Sequence, residues 1–193
     1  MKNFFFAAIL AVVAYGCAST PVGRNCTEPD PRYTISVTQK NVPIGNIVVQ
    51  LFPQVAPQHV CNFDSLVSIG FYNGTAFHRV IPGFMIQGGD PASKTEPREK
   101  WGYGMPGQKK IPAEFNDSTH IRGRLSAARS NDPNSASSQF FITVDYTKQL
   151  DGSYTVFGEV ISGMEVVDQI VNSPRDAKDN PLDKIEMKIT KNK

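Results

Sequence analysis

Apolar and polar residues alternate along several short segments of this chain. Tyr33, Ile35 and Val37 alternate with polar neighbours, and the same pattern returns at residues 47–51. A period of two is typical of half-buried strands, and the turn residues at positions 41–45 join these two segments into a predicted hairpin. Further β-like segments are predicted at residues 76–80, 84–88, 123–127, 139–143, 156–160 and 185–189.

Two segments follow a helical period instead. The first begins at Pro57, which is tolerated in the first turn of a helix, and Gly70 is its predicted stop. The second covers residues 163–172. Their apolar stripes are formed by Val60, Phe63, Leu66 and Val67, and by Met164, Val167, Ile170 and Val171. Residues 92–112 are rich in Gly, Pro and Lys and predict a loop.

Many short strands with two isolated helices predict a mostly β fold. We expect a closed eight-stranded antiparallel β-barrel capped by two α-helices, forming one domain over residues 33–193. Side chains fill the interior of an eight-stranded barrel. A ligand site is therefore expected on the outer wall.

The N-terminal residues predict export. A basic start, an apolar run at residues 4–13 and a small-residue exit indicate a cleavable signal peptide over residues 1–16. Residues 17–32, with several prolines, predict a flexible tether. Gly16-Cys17 resembles the bacterial lipobox, in which the cysteine is lipidated. We expect an exported protein, either periplasmic or held at a membrane through lipidated Cys17. Ordinary cleavage, giving a secreted soluble protein, is the alternative.

Composition excludes two kinds of site. The chain has 20 basic and 18 acidic residues, a net charge of +2, which gives no electrostatic footprint for nucleic acid. Its three histidines are scattered and lack metal-ligand spacing, so no metal site is expected. Of the cysteines, Cys61 lies on the apolar side of the first predicted helix and is expected to be a small core residue. A Cys26–Cys61 disulfide is the alternative.

The chemistry is concentrated in two motifs. Residues 77–90 read FHRVIPGFMIQGGD and residues 138–142 read SQFFI, followed by LDG at 150–152 and VFG at 156–158. In this order they resemble the cyclophilin family of peptidyl-prolyl isomerases, and the resemblance covers Tyr33 to about Ile189. It implies a monomer that binds proline-containing peptides and unfolded protein segments. It implies no metal or organic cofactor.

The resemblance also implies the roles of individual residues. Arg79 is the expected catalytic donor, and Phe84, Met85, Phe141 and Leu150 line a proline slot. The full set of expected substrate-binding residues is Phe77, His78, Phe84, Met85, Gln87, Ala128, Arg129, Gln139, Phe141, Leu150 and Tyr154. Gln87 and Gln139 are expected to bind or orient the peptide backbone and Arg79. From residue type alone, the barrel core is the default position for Phe84, Met85 and Phe141, and only the motif favours the slot.

Two positions depart from many eukaryotic members of the family. Gln149 stands where they have a rim Trp, and Tyr154 stands where they have His. Because the missing indole would donate a hydrogen bond to cyclosporin, we expect weak binding of that drug.

The expected function is catalysis of rotation about X–Pro bonds, which assists the folding of exported proteins. The twisted amide needs no nucleophile or metal, only a donor aimed at its nitrogen, and an arginine is always protonated. A non-catalytic proline-peptide-binding or chaperone-like surface lipoprotein is the alternative.

Overall fold

The protein forms a closed antiparallel barrel. The computed structural model describes residues 28–193, and the strand order around the barrel is β1-β2-β7-β5-β6-β4-β3-β8. The strands are β1 (Arg32–Gln39), β2 (Val42–Leu51), β3 (Thr75–Ile81), β4 (Met85–Asp90), β5 (Arg124–Ala127), β6 (Phe140–Thr143), β7 (Val156–Ser162) and β8 (Ile185–Lys191). The predicted fold class is confirmed. The predicted signal peptide, Cys17 and most of the predicted tether lie outside the described residues.

The inward-facing residues of the strands form one core with both long helices. Helix α1 (Pro57–Ser68) inserts Phe63 among the rings of Tyr33, Tyr72, Phe140 and Phe157, at centroid distances of 5.2 to 5.9 Å. The second long helix, α3 (Met164–Val171), packs its apolar stripe against β2, β3 and β4. The short helix α2 (Ala92–Thr95) between them was not predicted.

Helix α1 ends where the sequence predicts. Gly70 has a φ of +67°, its N–H donates to Val67 O, and the N–H of Phe71 donates to Leu66 O. This pair of bonds is the Schellman motif, in which a residue in the left-handed region satisfies the last carbonyls of a helix.

The start of α1 is capped from a distant loop. Ala56 at the N-cap offers no side-chain acceptor, and the carboxylate of Glu114 takes its place. Glu114 Oε1 accepts from Gln58 N at 3.0 Å, and Oε2 accepts from His59 N at 3.0 Å and from the ring Nδ1 of His59 at 2.6 Å. A carboxylate at this end also interacts favourably with the helix dipole.

The first hairpin turn is shorter than predicted. The turn consists of Lys40 and Asn41, which have φ values of 51° and 62°, and β2 already begins at Val42. Gly45 therefore belongs to a strand. A Cβ at that position would lie 2.4 Å from Val166 Cγ2, so the glycine allows α3 to approach the sheet closely.

A long loop connects β4 to β5 over residues 91–123. A loop was predicted for residues 92–112, and this part of it contains α2 and a 3-10 turn at Arg98–Lys100. The buried carboxylate of Asp90, at the end of β4, fixes this loop. Its Oδ1 accepts from Ala92 N at 3.0 Å, and its Oδ2 accepts from the N–H groups of Gly102 and Gly104. One side chain thus holds two distant parts of the loop against the barrel.

The expectation that Cys61 is a core residue was wrong. Cys61 is half-buried and disulfide-bonded, and its partner lies outside the described residues, where the chain has Cys17 and Cys26. Among residues 28–193, no helix has the length and apolarity to cross a membrane, and no group of three or more His, Cys, Asp or Glu side chains is placed to hold a metal ion.

Candidate active site

A second apolar cluster, separate from the barrel core, lies on the outer wall. Along β4 and β6, Ile86, Phe140 and Ile142 point into the core, whereas Met85 and Phe141 alternate with them and point outward. With Leu150 these two residues are buried in a cluster of their own. Successive side chains of a strand point to opposite faces, so Met85 and Phe141 lie on the outer face of the barrel. They are therefore not part of the barrel core.

This outer cluster forms the floor of a small cleft, called here the apolar cleft. Its volume is about 90 Å³. Its lining residues are Arg79, Phe84, Met85, Gln87, Ala128, Arg129, Phe141, Leu150 and Tyr154. All nine belong to the set expected from the sequence.

Arg79 lies at the edge of the apolar cleft with its charge available. The side chain is exposed, and within residues 28–193 its guanidinium makes no hydrogen bond or ion pair. Gln87 is its cross-strand neighbour on β4. An arginine without a partner keeps all five donor N–H groups for a ligand.

The two expected glutamines are held by an amide chain. Gln87 Nε2 donates to Gln139 Oε1 at 3.0 Å, and Gln139 Nε2 donates to Gly102 O at 3.1 Å. The N–H of Gly102 in turn donates to the carboxylate of Asp90, so these hydrogen bonds connect the loop to the cleft. It fixes the orientation of both amides. No hydrogen bond joins either glutamine to Arg79 among the described residues, so an orienting role towards Arg79 stays a prediction.

The rim of the cleft is built from stacked side chains. Tyr154 meets Phe141 edge-on, with centroids 5.7 Å apart and an interplanar angle of 82°. The guanidinium of Arg129 lies over the Tyr154 ring at 4.4 Å from its centroid. Such a contact holds a cation at a fixed position beside an aromatic wall.

Three of the expected substrate-binding residues do not line the apolar cleft: Phe77, His78 and Gln139. Phe77 is fully buried in the barrel core, with its ring edge-on to Phe140 at 6.3 Å. A register irregularity between Phe77 and Arg79 on β3 separates the inward Phe77 from the exposed Arg79. Phe77 was expected among the substrate-binding residues, and the structure places it in the barrel core instead.

His78 lies between these two residues and is only 4% exposed. It lines a different cleft, and neither ring nitrogen has a hydrogen-bond partner among the described residues. Burial lowers the pKa of His78 to about 4, so its ring is neutral at pH 7.

Two larger clefts flank the apolar cleft, and all three meet at Gln87. The His78 cleft, of about 540 Å³, lies between Arg79, the segment 98–103 and the segment 176–180. The loop cleft, of about 430 Å³, lies between residues 102–110 and residues 128–139. Sequence reasoning missed Tyr103, Gln108 and Lys110, because only the folding of the loop over β4 brings them to the site.

Comparisons with known proteins agree with this arrangement. The family model "Cyclophilin type peptidyl-prolyl cis-trans isomerase/CLD" matches residues 34–192. A probable peptidyl-prolyl cis-trans isomerase from Brucella suis biovar 1 is 41% identical over 170 residues, which cover 86% of this chain and 85% of the relative.

Solved structures show the same fold. A cyclophilin-type isomerase from Cryptosporidium parvum has a TM-score of 0.74 and 31% identity, over 85% of this chain and 98% of that one. A structure of that protein in the presence of the dipeptide Ala-Pro has a TM-score of 0.72 and 32% identity, over 84% and 99% of the two chains.

A closed eight-stranded barrel with an apolar cleft and an exposed arginine on its outer wall defines a cyclophilin-like protein. The chain belongs to the cyclophilin family. It is a peptidyl-prolyl cis-trans isomerase, and proteins of this class bind proline-containing peptides.

Proposed function

We propose that this isomerase acts on exposed X–Pro bonds in exported proteins and that Arg79 is its catalytic hydrogen-bond donor. The observation that carries the assignment is the exposed guanidinium of Arg79, which has no partner within residues 28–193, at the edge of a cleft whose floor is apolar. Phe84, Met85, Phe141 and Leu150 hold the proline ring. Gln87 and Gln139, with the main chain of Ala128 and Arg129, bind the peptide backbone.

The chemistry follows from the electronic structure of the amide. Rotation about the peptide bond is opposed by a barrier of about 18–20 kcal/mol, because the nitrogen lone pair is delocalised. At the twisted midpoint the lone pair is localised on nitrogen and accepts a hydrogen bond. A guanidinium held there stabilises the transition state more than either planar form. An acceleration of about 10⁴-fold requires roughly 5–6 kcal/mol.

The decisive experiment compares wild type with Arg79→Ala in exchange NMR on a short proline peptide. We expect kcat/KM to fall at least about 100-fold, as for other removals of a donor to a transition state. Arg32→Ala is the matched control, because β1 lies on the opposite side of the barrel from β4 and β6. Full activity of Arg79→Ala would refute the role of Arg79. Retained peptide binding with no turnover by wild type would favour the non-catalytic binding module.

The proposal of export is supported by the disulfide at Cys61. Structural disulfides persist in oxidising compartments and are rare in the cytosol. We propose Cys26 as the partner of Cys61, which leaves Cys17 available for a lipid. Mass spectrometry of the mature protein, before and after reduction, tests both points. A mature N-terminus that still carries residues 1–16 would contradict the signal peptide.

A monomeric state and weak cyclosporin binding are also part of the proposal. Gln149 is exposed beside Leu150 and offers no indole donor, which supports weak cyclosporin binding. Calorimetric titration with the drug, on wild type and on Gln149→Trp, tests this point, and equal affinities would contradict it.

A further inference from the structure

The charges around the peptide-binding surface are unequally distributed. The apolar cleft and the loop cleft together present Arg79, Arg129 and Lys110, and within residues 28–193 no Asp or Glu lines either of them. The His78 cleft, on the other side of Gln87, presents acidic as well as basic side chains, including Glu99 and Asp176. One flank of the site is therefore uniformly positive, and the other is mixed.

The guanidinium of Arg129 is held in place by neutral groups only. Its Nε and Nη2 donate to Ser153 O at 3.2 and 2.9 Å, and its Nη1 donates to Ser130 O at 2.8 Å. The ring of Tyr154 lies beneath it. These contacts fix the side chain, but no carboxylate within the described residues neutralises its charge.

Lys110 supplies a second cation to the lining of the loop cleft. It is exposed and forms no ion pair with the described residues. The nearest acidic residue along the chain from Arg129 is Asp132, whose carboxylate accepts from Asn134 N and does not line the cleft. Among the described residues that line the loop cleft, an entering carboxylate would thus meet two cations and no acidic side chain. The nearby Asp90 carboxylate is fully buried and already accepts from the N–H groups of Gly102 and Gly104.

We propose that the loop cleft selects acidic side chains, so that the preferred substrates carry Asp or Glu on one side of the proline, with Arg129 and Lys110 as the selecting residues. This inference rests on the proposed function, because it concerns the substrate class of the same site. The mixed charges of the His78 cleft give no such preference on the other side of the proline. The selection is electrostatic and weakens with salt.

Exchange NMR on matched peptides tests the inference. Each peptide has Glu or the isosteric Gln at one of the two positions before, or the two positions after, a single proline. We expect kcat/KM for Glu to exceed that for Gln by about 2- to 5-fold on one side only, as for a partly exposed ion pair. The ratio should approach one in 0.5 M salt. Equal rates for Glu and Gln at all four positions, with clear turnover, would overturn the inference and leave the proposed function intact.

Substitutions test whether Arg129 and Lys110 cause the preference for Glu over Gln. Arg129→Gln and Lys110→Gln should each reduce the Glu-to-Gln ratio, whereas Arg129→Lys should keep part of it because the charge remains. Lys188→Gln, which removes one charge from an exposed position on β8, is the matched control and should leave the ratio unchanged. A ratio unaltered by both Arg129→Gln and Lys110→Gln would overturn the assignment. Absence of turnover for every peptide would instead refute the proposed function, and the inference with it.

Discussion

The ring of His120 lies nearly parallel to the ring of Phe141, with 6.0 Å between centroids and 14° between the planes. His120 is fully buried, and Asp151 accepts from both its backbone N–H and its ring Nδ1, at 2.7 and 2.9 Å. Asp151 directly follows Leu150. The His120–Asp151 pair therefore supports two residues of the apolar cleft, Phe141 and Leu150, from outside its lining.

Removing this support should loosen the cleft. We expect Asp151→Ala to lower the free energy of unfolding by about 1–3 kcal/mol, because two buried donors of His120 lose their acceptor, and to raise KM for proline peptides. Asp151→Asn keeps an acceptor oxygen and should be milder in both respects. Urea unfolding and exchange NMR measure the two effects. An unchanged KM in Asp151→Ala would show that the pair does not shape the cleft.

The buried His78 should make stability depend on pH. Its pKa is lowered by burial from about 6.5 in the unfolded chain to about 4 in the folded protein. Between these values the unfolded state binds the extra proton. The contribution of His78 to the free energy of unfolding is therefore complete above pH 6.5 and is lost as the pH falls towards 4. The expected loss is on the order of 3 kcal/mol.

Urea unfolding at pH 7 and pH 4.5 checks this prediction on wild type and His78→Phe. The difference in unfolding free energy between the two pH values should be smaller in the variant. The comparison remains valid if Phe changes the stability equally at both pH values. The pH-dependent contributions of His59 and His120 are present in both proteins and cancel in it. Equal differences in the two proteins would show that His78 does not titrate in this way.

The cap of α1 by Glu114 is open to a direct test. Glu114→Ala leaves the N–H groups of Gln58 and His59 and the His59 ring without their acceptor, so we expect a loss of about 2–3 kcal/mol in unfolding free energy. Glu114→Gln should cost less, because one acceptor oxygen remains. Asp117→Ala, an exposed acid on the same loop, is the control. A Glu114→Ala protein as stable as the control would contradict the capping role.

Gly163, at the N-cap of α3, should be much less tolerant of substitution than Gly74. It has a φ of +90°, and an added Cβ would lie 2.2 Å from Asn46 O. Gly74 has a similar φ of +81° but open space around its Cβ position. We expect Gly74→Ala to cost about 1–2 kcal/mol from backbone strain alone, and Gly163→Ala to cost at least about 2 kcal/mol more. Thermal or urea unfolding measures the stability of both variants. Similar losses would show that the close approach of residue 163 to Asn46 O does not determine the cost of the substitution.

Local patterns predicted most elements of this fold. Alternation predicted β1, β8 and the second half of β2, because each has one face in the core and the other outside it. Short β-like segments predicted the other five strands to within a few residues. The α1 stop at Gly70 was predictable because a left-handed residue is a local requirement. The short helix α2 was not predictable, since four residues carry no usable period.

The sequence by itself determined the strands, the two long helices and the residue types of the candidate site, because strand and helix periods and the motif around Arg79 are encoded over a few neighbouring residues. The tertiary structure alone decided which residues face the cleft. It placed Phe77 in the core and Met85 and Phe141 on the outer wall, and it brought Lys110 to the site. It also brought Glu114 to a helix that begins at Pro57. These arrangements depend on barrel closure and on the path of a long loop, which contacts between distant residues determine and no local pattern records.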